Sequence, residues 1–257
     1  MLNELFSLSG RVALVTGGSK GIGKAVARGL AEAGAQVAIS ARTEEQLHRA
    51  AKEIGEGLDV RVESFVVDMY DRGQVKGLAA QVLAKFGRCD VLFNNAGSNR
   101  PQLLVETQED DWDAILELNV TSCMLLSKEL APAMIQNGWG RIIYTSSIMG
   151  LASHPGRGCY SATKAALIGM TKAQALELGR HGITVNCLAP GPILTDLPMS
   201  LLSEEQKTNI AKRTAVGRWG NAIDMVGPVL LMASNAGAYI TGEVILADGG
   251  LLCRSFD

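Results

Sequence analysis

Tyr160 and Lys164 stand four residues apart, and Ser147 lies thirteen residues before the tyrosine. If Tyr160 to Leu178 is helical, the i, i+4 spacing puts phenol and ammonium on one face, one turn apart. A free phenol titrates near pH ~10 and is a poor acid or base at neutrality. A neighbouring ammonium favours the phenolate and brings proton exchange toward the working range. Ser147 is expected on a strand-to-helix loop, where a hydroxyl can hydrogen-bond a carbonyl oxygen without ionising. The three together suit ketone and secondary-alcohol chemistry. Taken alone, the same pair could be a half-buried tyrosine and a solvated lysine.

The elements around them must supply the setting. The 257 residues are 47% hydrophobic and 19% charged, with a formal net charge of −2. That is globular composition, and it gives no electrostatic case for nucleic acid or an anionic membrane surface. No apolar run reaches the roughly 20 residues that span a bilayer. Met1 to Gly10 lacks a cationic start followed by an apolar core, so no secretory signal is expected. Five cysteines (Cys89, Cys123, Cys159, Cys187, Cys253) are odd in number and contain no C-x-x-C. They read as packed thiols in a reducing, cytosolic compartment. Cys159, beside Tyr160, has nothing basic placed to activate it.

Arg11 to Thr16 reads as a buried parallel strand. Gly17-Gly18-Ser19-Lys20-Gly21-Ile22-Gly23 then opens a helix with an apolar face of Ile22, Val26, Leu30 and Ala33. Glycines at a strand-to-helix turn let backbone N–H groups approach a pyrophosphate. The spacing, T-G-x-x-x-G-x-G, differs from the common G-x-G-x-x-G. Gln36 to Ala41 is a second strand. Where NAD-binding sheets carry an acid for the ribose 2′-OH, Ala41-Arg42 with Lys20 offers positive charge, which suits a 2′-phosphate. Arg42 could also merely cap the helix Glu44 to Ile54.

Val60 to Val67 is a third strand with Asp68 at its carboxyl end, followed by a helical pattern over Val75 to Phe86. Val91 to Phe93 is a fourth, running into Asn94-Asn95-Ala96-Gly97. Glu109 to Gln136 carries a long helical pattern, expected to break or kink at Pro132, with Asn119 inside it. Arg141 to Thr145 delivers Ser146-Ser147, and Ile183 to Leu188 ends in Ala189-Pro190-Gly191-Pro192. Thr195 to Arg213 is polar, amphipathic and without a strand partner, a candidate substrate lid at about 195–213. Ala222 to Ala233 is a further helix and Glu243 to Leu246 a last strand. The alternation predicts an α/β fold, one single-domain Rossmann-type doubly wound sheet over residues 1–257. Leu118 to Ile135 and Ser161 to Leu178 are apolar on more than one face, which predicts a homo-oligomer.

Thr16-Gly17-x-x-x-Gly21-x-Gly23, Asp68, Asn94 to Gly97, Asn119, Ser147, Tyr160-x-x-x-Lys164 and Pro190-Gly191, in this order, resemble the short-chain dehydrogenase/reductase family across essentially the whole chain. The resemblance implies a mostly parallel seven-stranded sheet with helices on both faces. It implies Tyr160 as the proton donor or acceptor, Lys164 tuning it and holding the nicotinamide ribose, and Ser147 positioning the substrate oxygen. It makes Asn119 the holder of a relay water. It further implies a cofactor site of Gly17, Ser19, Lys20, Gly21, Ile22, Gly23, Arg42, Asp68, Met69, Asn95, Ala96, Gly97, Tyr160, Lys164, Pro190, Gly191, Ile193 and Thr195. Within that set Asp68 is expected on the adenine amine, and Pro190 to Ile193 with Thr195 on the carboxamide. Lys20 and Arg42 match members that take NADP(H), with NAD(H) as the alternative, and no metal is implied. A homotetramer or homodimer is expected, with a small carbonyl or alcohol substrate.

Leu5-Phe6-Ser7-Leu8-x-Gly10, Asn99-Arg100 and the Lys212 to Gly220 stretch are similar to bacterial gluconate 5-dehydrogenases. The 3-oxoacyl-carrier-protein reductases share the core motifs. Arg100, His154 and Arg157 could bind a substrate carboxylate or be solvated loop residues. A cofactor-binding sensor without turnover is a competing class. It would need only the phosphate loop and not the set Asn119, Ser147, Tyr160 and Lys164.

Overall fold

The computed structural model describes residues 1–195 and 203–253. Its strands are β1 (Val12–Thr16), β2 (Gln36–Ala41), β3 (Val62–Val66), β4 (Val91–Asn94), β5 (Gly140–Thr145), β6 (Ile183–Pro190), β7 (Ile193–Leu194), β8 (Gly220–Asn221) and β9 (Val244–Ala247). Seven of them form one parallel sheet in the order β3-β2-β1-β4-β5-β6-β9. The winding reverses between β1 and β4, and the crevice beyond strand ends at such a reversal is where these sheets bind ligands. Val15 pairs with Phe93, Asn94 with Tyr144 and Thr145 with Leu188. This register makes Gly17, Asn95 and Ser146 leave the sheet along one edge.

The helices are α1 (Leu2–Phe6), α2 (Gly21–Glu32), α3 (Glu44–Gly55), α4 (Arg72–Phe86), α5 (Glu109–Leu116), α6 (Ser122–Asn137), α7 (Gly158–Leu178), α8 (Glu204–Arg213) and α9 (Val226–Ala233). Strand residues alternate between two cores. Ala13, Val15, Ile39 and Phe93 pack with Val26, Leu30, Leu47 and Val229 of α2, α3 and α9. Leu14, Leu92, Ile142 and Val185 pack with Leu78, Val82, Leu126 and Leu167 of α4, α6 and α7. Covering both faces with helices explains why β1, β4, β5 and β6 are buried at every position. Each such Leu, Ile or Val contributes about 1.5–3 kcal/mol through its burial.

The expected break at Pro132 is not where the long helix is interrupted. Pro132 lies inside α6, which runs on to Asn137. The interruption is a wider π turn over Glu117–Thr121, where the Ser122 N–H donates to the Glu117 carbonyl five residues back. The third strand begins at Val62, the Ala222 helix opens with a 3-10 turn over Ala222–Met225, and the last strand shifts to Val244–Ala247. The candidate lid is flanked by strand pairing that was not expected: Ile193 pairs with Gly220 and Leu194 with Asn221. Two-residue strands show no period to read. Of the lid itself, Glu204–Arg213 is a helix opened by a Ser203/Gln206 capping box, while 196–202 lie outside the described residues.

Candidate active site

The turn between β1 and α2 is locked from behind by the end of β4. The N–H groups of Asn95 and Ala96 both donate to Thr16 Oγ1 at 3.0 Å. Asn95 Nδ2 donates to the carbonyls of Thr16 (3.0 Å) and Gly17 (3.4 Å). The amide of Asn95 is therefore spent on holding the loop, and the chemistry of N-N-A-G is first of all that of a clamp. Gly23 is required by close approach, since a Cβ there would stand 2.3 Å from the Gly17 carbonyl oxygen and 2.6 Å from Asn95 Nδ2. The start of α2 has no side-chain cap and no acid in its first turn. Its N–H groups and the positive end of the helix dipole are left for an external anion.

Four side chains meet at the same edge beyond β5. Lys164 is 4% exposed, donates from Nζ to the Thr145 carbonyl at 2.6 Å, and lies 5.4 Å from the centre of the Tyr160 ring. Ser146 Oγ donates to the Lys164 carbonyl at 2.8 Å and so fastens α7 to the end of β5. Ser147, next along an extended backbone, faces the other way. Its Oγ accepts the Met149 N–H at 3.1 Å, which leaves its own proton free to donate. Asn119 sits in the π turn and is 1% exposed. Its side chain reads the Ser98 main chain twice: Oδ1 accepts from Ser98 N and Nδ2 donates to Ser98 O, both at 2.9 Å. Nδ2 also donates to Thr163 Oγ1 at 3.1 Å. Gly97 completes the contact, because a Cβ there would lie 3.2 Å from Asn119 Oδ1 and 3.5 Å from Lys164 Nζ.

The electrostatics follow from burial. Two thiols near Lys164, Cys123 and Cys187, are pushed up to about 11 by desolvation, with the lysine pulling weakly the other way. Both are neutral at physiological pH and do not cancel the ammonium charge. Burial also pushes the Tyr144 phenol up. Cys159 is likewise raised by burial, in keeping with a packing role.

The remaining expected residues are spread over several places. Gly21 and Thr195 line a cleft of about 530 Å³ with Lys20, Lys24 and Arg28, and none of Tyr160, Lys164, Ser147 and Asn119 lines it. Arg42 is exposed at the end of β2, while Asp68 Oδ1 accepts the Tyr70 N–H at 3.1 Å. Pro190 ends β6, and Gly191 follows with its N–H on the Ala247 carbonyl. The side chains of Met69 (5% exposed) and Ile193 (7%) belong to the two cores and do not line that cleft. Ser19 and Ile22 bracket the start of α2. At the outer rim, Arg100 forms an ion pair with Asp111, which also accepts from Gln102 Nε2 at 2.6 Å. Arg157 caps the start of α7 through its backbone, and His154 is exposed.

Sequence reasoning missed Ser146 and Thr163 and the carbonyl of Thr145. A signal for Ser146 existed: consecutive residues leaving a strand point to opposite sides, so only one of Ser146-Ser147 could face the cleft. Among the described residues no helix is long and apolar enough to cross a membrane, and no cluster of His, Cys, Asp or Glu could hold a metal.

A doubly wound parallel sheet with a glycine-rich helix start carries Lys164, Ser147 and Asn119 buried and Tyr160 half-buried along one edge, an arrangement suited to oxidoreductase chemistry. Residues 11–206 match the family described as short chain dehydrogenase. The chain is 40% identical over 245 residues to the 3-oxoacyl-[acyl-carrier-protein] reductase FabG of Thermotoga maritima, covering 95% of this chain and 99% of that protein. It is 38% identical over 250 residues to the gluconate 5-dehydrogenase of Gluconobacter oxydans, covering 96% and 97%. The crystal structure of a gluconate 5-dehydrogenase from Burkholderia cenocepacia, in complex with NADP and tartrate, superposes with a TM-score of 0.93 at 35% identity, covering 99% and 100%. The chain belongs to the short chain dehydrogenase family, and its chemistry is that of an oxidoreductase acting on CH–OH and carbonyl groups.

Proposed function

We propose that this protein is an NADP(H)-dependent oxidoreductase interconverting a ketone and a secondary alcohol, with a sugar acid of the gluconate type as substrate. The reading is supported by Lys164 lying beside the Tyr160 ring and, with Asn119, against Gly97, at the sheet edge from which Ser147 and the Gly17–Gly23 turn also leave. The cofactor fits that turn, whose helix start is uncapped and whose close approach at Gly23 allows no side chain. Gly17, Ser19, Gly21, Ile22 and Gly23 would hold the pyrophosphate, and Lys20 and Arg42 the 2′-phosphate. Asp68 and Met69 would flank the adenine, Asn95 to Gly97 the ribose side, and Pro190, Gly191, Ile193 and Thr195 the carboxamide. When bound, the nicotinamide supplies or accepts the hydride.

The chain's own residues handle the oxygen and the proton. Ser147 Oγ donates a hydrogen bond to the substrate oxygen. In the reducing direction the Tyr160 hydroxyl gives its proton to that oxygen, and in oxidation the phenolate takes it back. Lys164, held on the Thr145 carbonyl and with no neutralising thiolate beside it, keeps positive charge next to the phenol. Asn119 ties the π turn to the loop at Ser98, so that a water on this side can pass protons to Lys164. Arg157, with Arg100 shared with Asp111, would meet the sugar-acid carboxylate. A cytoplasmic homotetramer, packed through exposed faces of α6 and α7 that include Met124, Ile135 and Leu176, completes the proposal.

The 40% identity to a 3-oxoacyl-carrier-protein reductase supports a second reading, reduction of a 3-oxoacyl thioester. The discriminating experiment is NADPH oxidation by the purified protein with 5-ketogluconate, other keto-sugars and an acetoacetyl thioester. Preferred turnover of the keto sugar acid is expected. Preferred turnover of the thioester would move the assignment to the second reading.

A further inference from the structure

Arg42 is set differently from the other arginines of its half of the molecule. Arg28, Arg49, Arg61, Arg72 and Arg88 each pair with a carboxylate. Among the described residues Arg42 pairs with none, and its guanidinium instead lies over the ring of Tyr70, 5.7 Å from the centroid. A guanidinium resting on an aromatic face keeps its edge donors free for an anion.

The support under that ring is built. Asp68 Oδ1 accepts the Tyr70 N–H (3.1 Å), the Asp68 carbonyl accepts the Asp71 N–H (3.1 Å), and Gln74 Oε1 accepts the Asp68 N–H (3.0 Å). Asp71 Oδ1 caps α4 by accepting from Gly73 N and Gln74 N, and Asp71 Oδ2 accepts from Gln74 Nε2. The Tyr70 ring itself packs against the core beneath α4 and α6. A ring fixed by such a turn is a rigid platform for a flexible, exposed side chain.

The geometry points to Tyr70 as a positioning residue that presets Arg42 for the cofactor's 2′-phosphate and thereby sets the preference for NADPH over NADH. This rests on the NADP(H) reading above. A preset arginine loses less freedom on binding than a mobile one, and only the nucleotide carrying the 2′-phosphate gains from it.

The test is calorimetric titration of the full chain with NADPH and with NADH, for the wild type, Tyr70→Leu, Tyr70→Phe and Arg42→Ala. Tyr70→Leu keeps apolar volume but removes the ring, and is expected to raise the Kd for NADPH about three- to tenfold. Its Kd for NADH stays within about twofold, and Tyr70→Phe keeps both values near wild type. If Arg42→Ala lowers NADPH preference while Tyr70→Leu does not, the platform role is overturned and the NADP(H) reading survives. Equal weakening of both nucleotides in Tyr70→Leu also overturns it, because that is a general loss of structure. An unchanged NADPH-to-NADH ratio in Arg42→Ala overturns the reading of Arg42 and the inference together.

Discussion

The wall formed by β4, β5, α6 and α7 and the rim formed by residues 98–111 and 151–157 are built on opposite principles. In the wall, Lys164, Asn119, Ser146 and Ser147 are buried, and each is held by a hydrogen bond to the protein main chain. At the rim, Arg100, His154 and the apolar pair Leu104 and Val105 are exposed, and the Arg100–Asp111 ion pair lies at the surface beside a Gln102–Gly156 main-chain hydrogen bond. Exposed ion pairs contribute about 0–1 kcal/mol, whereas breaking a buried hydrogen-bonded contact leaves a group whose desolvation costs about 1–3 kcal/mol. The wall therefore tolerates little change, and on the function proposed above the rim is where substrate contacts could vary without disturbing the proton chemistry.

Substitutions can break this comparison. The largest effect after Tyr160 itself is expected at Lys164→Ala, with kcat reduced about 10²–10³-fold for any substrate, measured at saturating NADPH. Gly23→Ala comes next. A methyl at 2.3 Å from the Gly17 oxygen forces the turn apart, at a cost of about 1–3 kcal/mol, visible as a lower Tm and at least about tenfold weaker NADPH binding. At the rim, Arg157→Ala should raise KM for a keto sugar acid about tenfold, as expected for one charge-assisted contact, with kcat nearly unchanged. A fall in kcat comparable to that of Lys164→Ala would erase the distinction between wall and rim.

The smallest effect is a pH dependence. Cys123 and Cys187 are raised from 9.0 to about 11 by burial, so the fold prefers their protonated forms. Their stabilising contribution is complete below pH 9 and is lost as pH rises from about 9 to 11. Thermal melts over that window should show Tm falling with pH, less steeply in a Cys123→Ala, Cys187→Ala protein. Thiol reagents at pH 7.5 should label exposed Cys253 in the native protein and reach Cys89, Cys123 and Cys187 only on unfolding.

The same contrast governs what could be read from residues alone. Buried parallel strands announce themselves by continuous apolar runs, and β2 came out with its observed bounds, Gln36–Ala41. The glycine turn, Tyr160-x-x-x-Lys164 and Ser147 carry local spacing and are brought to one sheet edge. The π turn at Glu117–Thr121 was illegible, because one added residue per turn blurs a helical period without a breaker, while Pro132, which looked like a breaker, lies inside a helix that runs on to Asn137. Asn119 could be picked out as a polar residue in an apolar helix, but its partners, the Ser98 main chain and Thr163, are distant in sequence. Arg100 and Arg157 looked alike as loop cations, and only the structure shows that Arg100 is shared with Asp111. The Tyr70 platform under Arg42 depends on β2 and β3 being neighbours, which no local pattern states.

The most direct measurement is steady-state turnover by Tyr160→Phe, alongside its Kd for NADPH. The variant keeps the ring beside Lys164 and removes the hydroxyl that carries the exchangeable proton. Loss of turnover by about 10²–10⁴-fold with NADPH binding within about twofold of wild type is predicted. Turnover retained at the wild-type level would contradict the assignment of proton transfer to this wall.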